Sequence, residues 1–229
     1  MQVDPQRLDD AVAKHAFSGV IAIDVGDERV LERCEGFMHR AFGVPMVPHA
    51  RIAVASGSKT FTALAVMRLV EEGRLRLDQP VREILGEDLR LIDDAVTVEH
   101  LLTHTSGIGD YLDEDGDWEV SDHVLTLPVH SLTSSEAFLP LLEGHEPKFS
   151  PGERFAYCNG GYMVLGLLLE RVTGEVYHDV VRRLVIEPAG LEGTGFLPLN
   201  ELPSDAALGY LHDDGDLVNT LHLPILGRL

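Results

Sequence analysis

The sequence predicts an α+β protein, and the order of its hydrophobic patterns supports that prediction. A strand-like run at Gly19–Val25 is followed by a turn and by a second strand-like run at residues 29–37. Apolar residues with helical spacing come later, at about 58–73 and 161–172. Because strands and helices are segregated along the chain and do not alternate, we expect an antiparallel sheet with flanking helices and an all-helical region.

The first elements have clear boundaries. Asp4 as N-cap and Pro5 at the first helical position predict a helix that runs to about residue 15. The Gly26-Asp27 pair predicts the turn of a hairpin between the two strands. Gly73 is placed to end the helix that begins near residue 58.

The later elements are more mixed. A short helix is predicted near Val98–Leu102, and residues 124–148 combine loop and helix signals. The apolar helix at 161–172 ends at Thr173-Gly174, and a second helix at about 175–185 is stopped by Pro188. We therefore predict one domain over residues 1–229, with a helix and edge hairpin at 1–50, a helical region at 51–190 and a loop-rich segment at 191–229.

The charge is strongly acidic and unevenly distributed. The chain of 229 residues has 18 Lys and Arg against 38 Asp and Glu, a net charge of −20, with an ordinary 45% of hydrophobic residues. No basic residue occurs between Arg90 and Lys148, where 13 acidic residues lie. Because phosphate binding depends on Lys and Arg, partners such as nucleic acid and anionic membranes are excluded. The acidic run at 110–122 predicts a solvated loop, since a calcium loop needs glycine where Trp118 stands.

Compartment and cofactor signals are sparse. Cys34 and Cys158 form no C-x-x-C pair and no disulfide framework, and no run of about 18 apolar residues could span a membrane. The first residues contain neither a basic nor an apolar signal region, so we expect a cytoplasmic protein. The histidines have no metal-ligand spacing, and we expect neither metal nor cofactor.

The most informative local pattern is Ser56-Gly57-Ser58-Lys59. A serine hydroxyl is a weak nucleophile unless a base lies beside it, and residues three apart on a helix share a face. The positive end of the helix also favours a developing anion. Phe61 and Leu64 predict that this helix is largely buried. Chance matches to S-x-x-K are common, so an ordinary helix start with a solvent-facing lysine stays open at this point, whereas a phosphate loop and a G-x-S-x-G elbow are excluded.

A second pattern is Tyr157-Cys158-Asn159. A tyrosine beside a cation can act as a general base, and an asparagine can hold both a lysine amine and a substrate amide. In an extended backbone Tyr157 and Asn159 would share one side and Cys158 would point away as a small buried residue.

Four segments, in this order, resemble the serine β-lactamase and penicillin-binding protein superfamily. They are similar in particular to its branch of class C β-lactamases, D-alanyl-D-alanine carboxypeptidases, D-aminopeptidases and esterases. The segments are RIAVASGSKTFTA at 51–63, the helix and turn at 98–108 with LLTHTSG, PGERFAYCN at 151–159, and EPAGLEGTGF at 187–196. The resemblance covers about residues 17–200.

The resemblance implies a role for each matched residue. Ser56 would be the acylated nucleophile, with its backbone N–H as one oxyanion donor. Lys59 and Tyr157 would transfer protons, and which of them takes the first proton stays open. Asn159 would position the substrate amide or acyl side chain. His104 belongs to the turn signature and is interpreted as structural.

One motif of the family has no counterpart here. The family places Lys or His, then Thr or Ser, then Gly on an inner strand, but no Lys follows Asn159. Three later histidines also lack a glycine two residues on: His178, His212 and His222. Since family members continue for roughly another hundred residues, which carry the remaining sheet strands, we expect that this chain is part of a longer protein. We also expect that the domain lacks its C-terminal strands here and that the 229 residues alone show little activity.

Two functional hypotheses remain from the sequence. The first is a serine hydrolase that forms an acyl-enzyme with a small or peptide-like amide or ester. The second is a non-catalytic binding or scaffold relative with the same fold. Tyr111 and Trp118, in the acidic loop, are candidate substrate-binding residues, with local packing as the alternative. The oligomeric state is not predicted.

Overall fold

The structure is a computed structural model that describes residues 4–115, 124–197, 201, 203–213 and 216–222. Its contacts divide the described chain into two compact units. One unit contains the residues up to Ala55 together with those from Leu197 onward, and the other is Ser56–Phe196. Among the described residues, no helix has the length and apolarity needed to cross a membrane.

The first unit begins with a helix and a hairpin, as predicted. Helix α1 spans Pro5–Lys14, and the Asp4 side chain caps its first turn by accepting two backbone N–H groups. Strands β1, Gly19–Val25, and β2, Glu28–Glu35, pair antiparallel.

The predicted return strand at 29–37 was too long. Gly36 interrupts it with a φ of +72°, and a Cβ there would lie 2.2 Å from the Ser18 Oγ. The chain then forms a separate short pair, β3 at Phe37–His39 with β4 at Val44–Pro45.

The last part of the first unit is more regular than the loop-rich prediction for 191–229. Strands β5, Tyr210–Asp213, and β6, Asp216–Asn219, form an antiparallel hairpin. The Leu208 N–H donates to the Met38 carbonyl at 2.9 Å, which joins this segment to the N-terminal part of the same unit. Strands of four residues are too short to show a clear alternation of apolar and polar residues in the sequence.

The second unit is helical. In the described residues of this unit, six α-helices are joined by turns, and a π-helical turn at Arg182–Ile186 follows the last of them. The helices are α2 Lys59–Glu71, α3 Arg82–Leu85, α4 Val98–Leu102, α5 Leu139–Leu142, α6 Asn159–Thr173 and α7 Tyr177–Val181. The predictions for α2, α4 and α6 are confirmed, and Gly174 ends α6 in the left-handed conformation at φ +75°.

Helix α6 lies at the centre of the hydrophobic core of this unit. Its residues from Val164 to Leu169 are almost fully buried, and α2 packs its Ala65, Val66 and Leu69 face into the same cluster. The prediction that α2 is largely buried is wrong for Leu64, which is 50% exposed because it lies away from that face. A helix that is apolar all round is typical of a core position. Because α6 is packed in the core in this way, its N-terminus is held in position.

Candidate active site

The Ser56 side chain lies in a short 3-10 helix, Ala55–Ser58, that leads directly into α2. Ala55 has a φ of +44°, a region that L-amino acids other than glycine rarely adopt. Lys59 is the first residue of α2, and its Nζ donates to the Ser56 Oγ at 3.0 Å. The S-x-x-K spacing therefore places the Lys59 amine within hydrogen-bond distance of the Ser56 hydroxyl. This excludes the alternative in which Lys59 only faces solvent.

Tyr157 and Asn159 each form a hydrogen bond with one member of the Ser56–Lys59 pair. The Tyr157 hydroxyl donates to the Ser56 Oγ at 2.8 Å, and the Lys59 Nζ donates to the Asn159 Oδ1 at 2.9 Å. Cys158 between them is extended, with φ −141° and ψ +112°, and is buried on the opposite side. The predicted arrangement of these three residues is confirmed.

Cys158 has a structural role. Its Sγ accepts the Gly161 N–H at 3.3 Å and so caps the first turn of α6. Burial raises the pKa of the Cys158 thiol to about 12. The thiol is therefore protonated at neutral pH and is a poor nucleophile, since reactivity belongs to the thiolate.

His104 packs against the site and forms a hydrogen bond with its backbone. It has a φ of +55°, and its Nδ1 accepts the Cys158 N–H at 3.1 Å. Its ring lies 4.6 Å from that of Tyr157 and 5.0 Å from that of Tyr162, centroid to centroid. Burial, and then the positive charge of Lys59, lower the pKa of His104, which keeps the imidazole neutral and able to accept. The structural interpretation of His104 is confirmed.

The Lys59 ammonium also lies among aromatic rings. Its Nζ is 5.0 Å from the centroid of the Tyr157 ring and 5.8 Å from that of Tyr162. Cations are attracted to the faces of aromatic rings at such distances. The amine is thus held by a hydroxyl, an amide oxygen and two rings, and it points at Ser56.

A loop at residues 110–115 contacts Asn159. The Asn159 Nδ2 donates to the Leu112 carbonyl at 3.1 Å and to the Glu114 Oε1 at 2.8 Å. The Lys148 Nζ pairs with Asp113 at 2.6 Å and with Asp115 at 3.3 Å. The acidic segment is therefore fixed beside the site by ion pairs and hydrogen bonds.

Asp110 corrects the prediction of a solvated acidic loop. Its side chain is buried, with only 8% exposure, and accepts backbone N–H groups from the first turn of α6. Burial raises the pKa of Asp110, and the bonds from backbone N–H groups oppose that rise. No pattern in the sequence marks this position, because Asp110 is one of many acidic residues there and its partners on α6 lie about 50 residues away.

The two candidate substrate-binding aromatics have different outcomes. Tyr111 packs against an apolar cluster that includes Leu132, Phe138 and Met163, and burial raises the pKa of its hydroxyl. Its role in binding substrate stays a prediction. Trp118 was predicted to bind substrate, and this residue lies outside the described residues.

Comparison with known proteins identifies the family. The profile described as Beta-lactamase matches residues 5–225. The chain belongs to the beta-lactamase family. The recognition made from the four sequence segments is confirmed, as is the β-lactamase-like α+β fold.

Three similar proteins illustrate the range of relatives. The chain is 36% identical over 200 residues to esterase EstB of Burkholderia gladioli, a match that covers 83% of this chain and 50% of the esterase. The crystal structure of a penicillin-binding protein from Bacillus halodurans superposes with a TM-score of 0.86 at 36% identity, covering 95% of this chain and 66% of that protein. A D-amino acid amidase from Ochrobactrum anthropi SV3 superposes with a TM-score of 0.68 at 25% identity, covering 90% of this chain and 55% of the amidase.

The chain spans about half the length of the curated relatives that it matches. The described residues contain no cluster of His, Cys, Asp and Glu that could hold a metal ion. What the described site does contain is a complete hydrogen-bonded set of four side chains: Ser56, Lys59, Tyr157 and Asn159.

Proposed function

We propose that this member of the beta-lactamase family is a serine hydrolase that works through a covalent acyl-enzyme at Ser56. The observation that supports the proposal is the position of the Ser56 Oγ, 3.0 Å from the Lys59 Nζ and 2.8 Å from the Tyr157 hydroxyl. Both distances allow direct proton transfer, which is the geometric requirement for an activated nucleophile.

The reaction follows from these contacts. The Ser56 Oγ bonds to the carbonyl carbon of the substrate, and its proton passes to Lys59 in its amine form or to Tyr157 in its phenolate form. The tetrahedral intermediate collapses when the bond to the leaving group breaks, and the leaving group takes up the proton. Water then attacks the ester on Ser56, which releases the acid and restores the hydroxyl.

The proposed substrates are small esters or amides, or short peptide-like molecules. Esterase, penicillin-binding protein and D-amino acid amidase are the names of relatives, and each supports carbonyl substrates of this kind. The Glu114 carboxylate, hydrogen-bonded to Asn159, adds negative charge beside the site. We therefore expect neutral esters to acylate faster than carboxylate-bearing β-lactams, a preference that weakens as salt is added.

A cytoplasmic location is part of the proposal. Both cysteines, Cys34 and Cys158, are free thiols, which suits a reducing compartment.

The proposal is tested by labelling the full-length protein with a fluorophosphonate and measuring its intact mass. The Ser56 Oγ should displace fluoride and form one phosphonyl adduct, located on the peptide that contains residue 56. Ser56→Ala should abolish the adduct, whereas Ser58→Ala, in the same 3-10 helix, should keep it. A folded chain that forms no adduct, or an adduct that survives Ser56→Ala, contradicts the proposal.

A non-catalytic binding protein is the second candidate, and one contact favours it. Both hydrogens of the Asn159 amide are already directed at Leu112 and Glu114, so a substrate would compete with the loop for them. Reversible ligand binding without any covalent adduct at Ser56 would establish this alternative.

A further inference from the structure

A buried carboxylate organises the part of the site that holds the lysine. The Asp110 Oδ2 accepts the Asn159 N–H at 2.6 Å, and its Oδ1 accepts the Gly160 N–H at 2.8 Å. The same Oδ1 accepts the Leu112 N–H at 3.2 Å. The Asp110 side chain therefore joins the first turn of α6 to the loop at residues 110–115.

The same two segments determine where the Asn159 side chain lies. Its backbone is held by Asp110, and its amide nitrogen is held by the Leu112 carbonyl in the loop that Asp110 also fixes. Its remaining polar atom, Oδ1, accepts from the Lys59 Nζ, and that nitrogen donates to the Ser56 Oγ. A continuous series of hydrogen bonds thus runs from Asp110 to the nucleophile.

We propose that Asp110 is a positioning residue for acyl transfer, because it sets the Asn159 amide and, through it, the direction of the Lys59 amine toward Ser56. The inference rests on the serine hydrolase function proposed above. Asp110 does not touch the substrate in this account. A carboxylate suits the role because both of its oxygens accept and neither donates, whereas its partners, three backbone N–H groups and the Cys158 thiol, are all donors.

The substitution Asp110→Asn tests the inference with little change in volume. It places an NH₂ group against backbone N–H donors, so Asn159 shifts and the Lys59 amine loses its alignment. The reaction is the single-turnover acylation of Ser56 by p-nitrophenyl acetate, in which the bond between the acetyl carbon and p-nitrophenolate breaks. We expect the maximal acylation rate constant to fall by about 10- to 100-fold, since misplacement by about 1 Å can cost 10²-fold, with little change in the apparent dissociation constant of the ester.

The chain offers a matched control in Glu170, a second buried carboxylate, which lies on α6. Glu170 has the same 8% exposure as Asp110 and also accepts three backbone N–H groups, from Ser135, Glu136 and Tyr177. Glu170→Gln and Asp110→Asn should both lower the urea midpoint of unfolding, but Glu170→Gln should leave the acylation rate constant of the folded protein within about twofold. Equal acylation by Asp110→Asn and the wild type, or equal slowing by both variants, overturns the inference.

A second pair of variants covers the case in which Asp110→Asn does not fold. A Cβ on Gly160 would lie 3.2 Å from the Asp110 Oδ1, so Gly160→Ala displaces the carboxylate while all of its donors remain. A Cβ on Gly161 would meet its nearest atoms at 3.7 Å, an ordinary contact. We expect Gly160→Ala to acylate several-fold more slowly than Gly161→Ala, and identical rates contradict the inference.

The outcomes separate the two proposals. A wild-type chain that forms no acetyl adduct overturns the serine hydrolase proposal and this inference together. A wild-type chain that is acylated at Ser56, with Asp110→Asn acylated equally fast, overturns only the role of Asp110.

Discussion

Gly107 provides a stability prediction that can be worked from the structure. It lies in the turn after α4 with a φ of +69°, and a Cβ there would be 2.1 Å from the Phe149 carbonyl oxygen. The Gly107 carbonyl accepts the Lys148 N–H at 2.8 Å, so the two segments run side by side. Gly107→Ala must therefore strain the backbone and also push these segments apart.

The expected cost has three parts. A left-handed conformation costs an alanine about 1–2 kcal/mol. Overpacking costs about 1–3 kcal/mol, and the loss of the hydrogen bond from Lys148 about 1 kcal/mol. Because these terms overlap, we expect Gly107→Ala to lower the free energy of unfolding by about 3–4 kcal/mol.

Gly174→Ala isolates the backbone strain. Gly174 has a φ of +75°, and a Cβ there would meet nothing within 4 Å, so only about 1 kcal/mol is expected. The assay is urea unfolding of the wild type and both variants, followed by far-UV circular dichroism, with equal slopes required for comparison. The reasoning is refuted if Gly107→Ala is no more than about 0.5 kcal/mol less stable than Gly174→Ala, since that is the scatter of additive effects.

Three further predictions concern the site. Tyr157→Phe removes the hydroxyl that bonds to Ser56 and should slow acylation by about 10²- to 10⁴-fold without lowering the urea midpoint. The pKa of His104 is lowered on folding, so the unfolded chain takes up a proton at a higher pH than the folded chain does. The free energy of unfolding should therefore fall as the pH drops below the ordinary histidine value of 6.5. His104→Asn should flatten this part of the curve of unfolding free energy against pH. A thiol reagent at pH 8 should modify the partly exposed Cys34 in the native protein and modify Cys158 only after unfolding, because burial raises the pKa of Cys158 to about 12; rapid modification of two thiols in the native state would contradict this.

The parts of the fold that the sequence predicted well are set by local interactions. The N-cap of α1, the hairpin turn at Gly26-Asp27 and the glycine that ends α6 depend on residues close together in the chain. The contact between Ser56 and Lys59 is also local, because a helical start brings residues three apart onto one face. These features need no knowledge of tertiary packing.

The parts that the sequence missed depend on distant residues. Whether Leu64 is buried is decided by which face of α2 meets its neighbours, and the prediction that Leu64 is buried was wrong because the sequence does not show that face. Asp110 looks like any other acidic residue until α6 supplies its N–H donors. Glu114 similarly gains its significance only from the position of Asn159. Tertiary contacts thus bring two carboxylates of the acidic segment, Asp110 and Glu114, into contact with Asn159.

The central claim is that Ser56 becomes acylated, and an acid-quench experiment tests it most directly. The full-length protein is mixed with p-nitrophenyl acetate, quenched in acid within one turnover, digested and analysed by peptide mass. The account predicts a single acetyl group on the hydroxyl of Ser56 that appears at the rate of p-nitrophenolate release and is absent from Ser56→Ala. An acetyl group on Lys59, Ser58 or any other residue at that rate, with Ser56 unmodified, would contradict it.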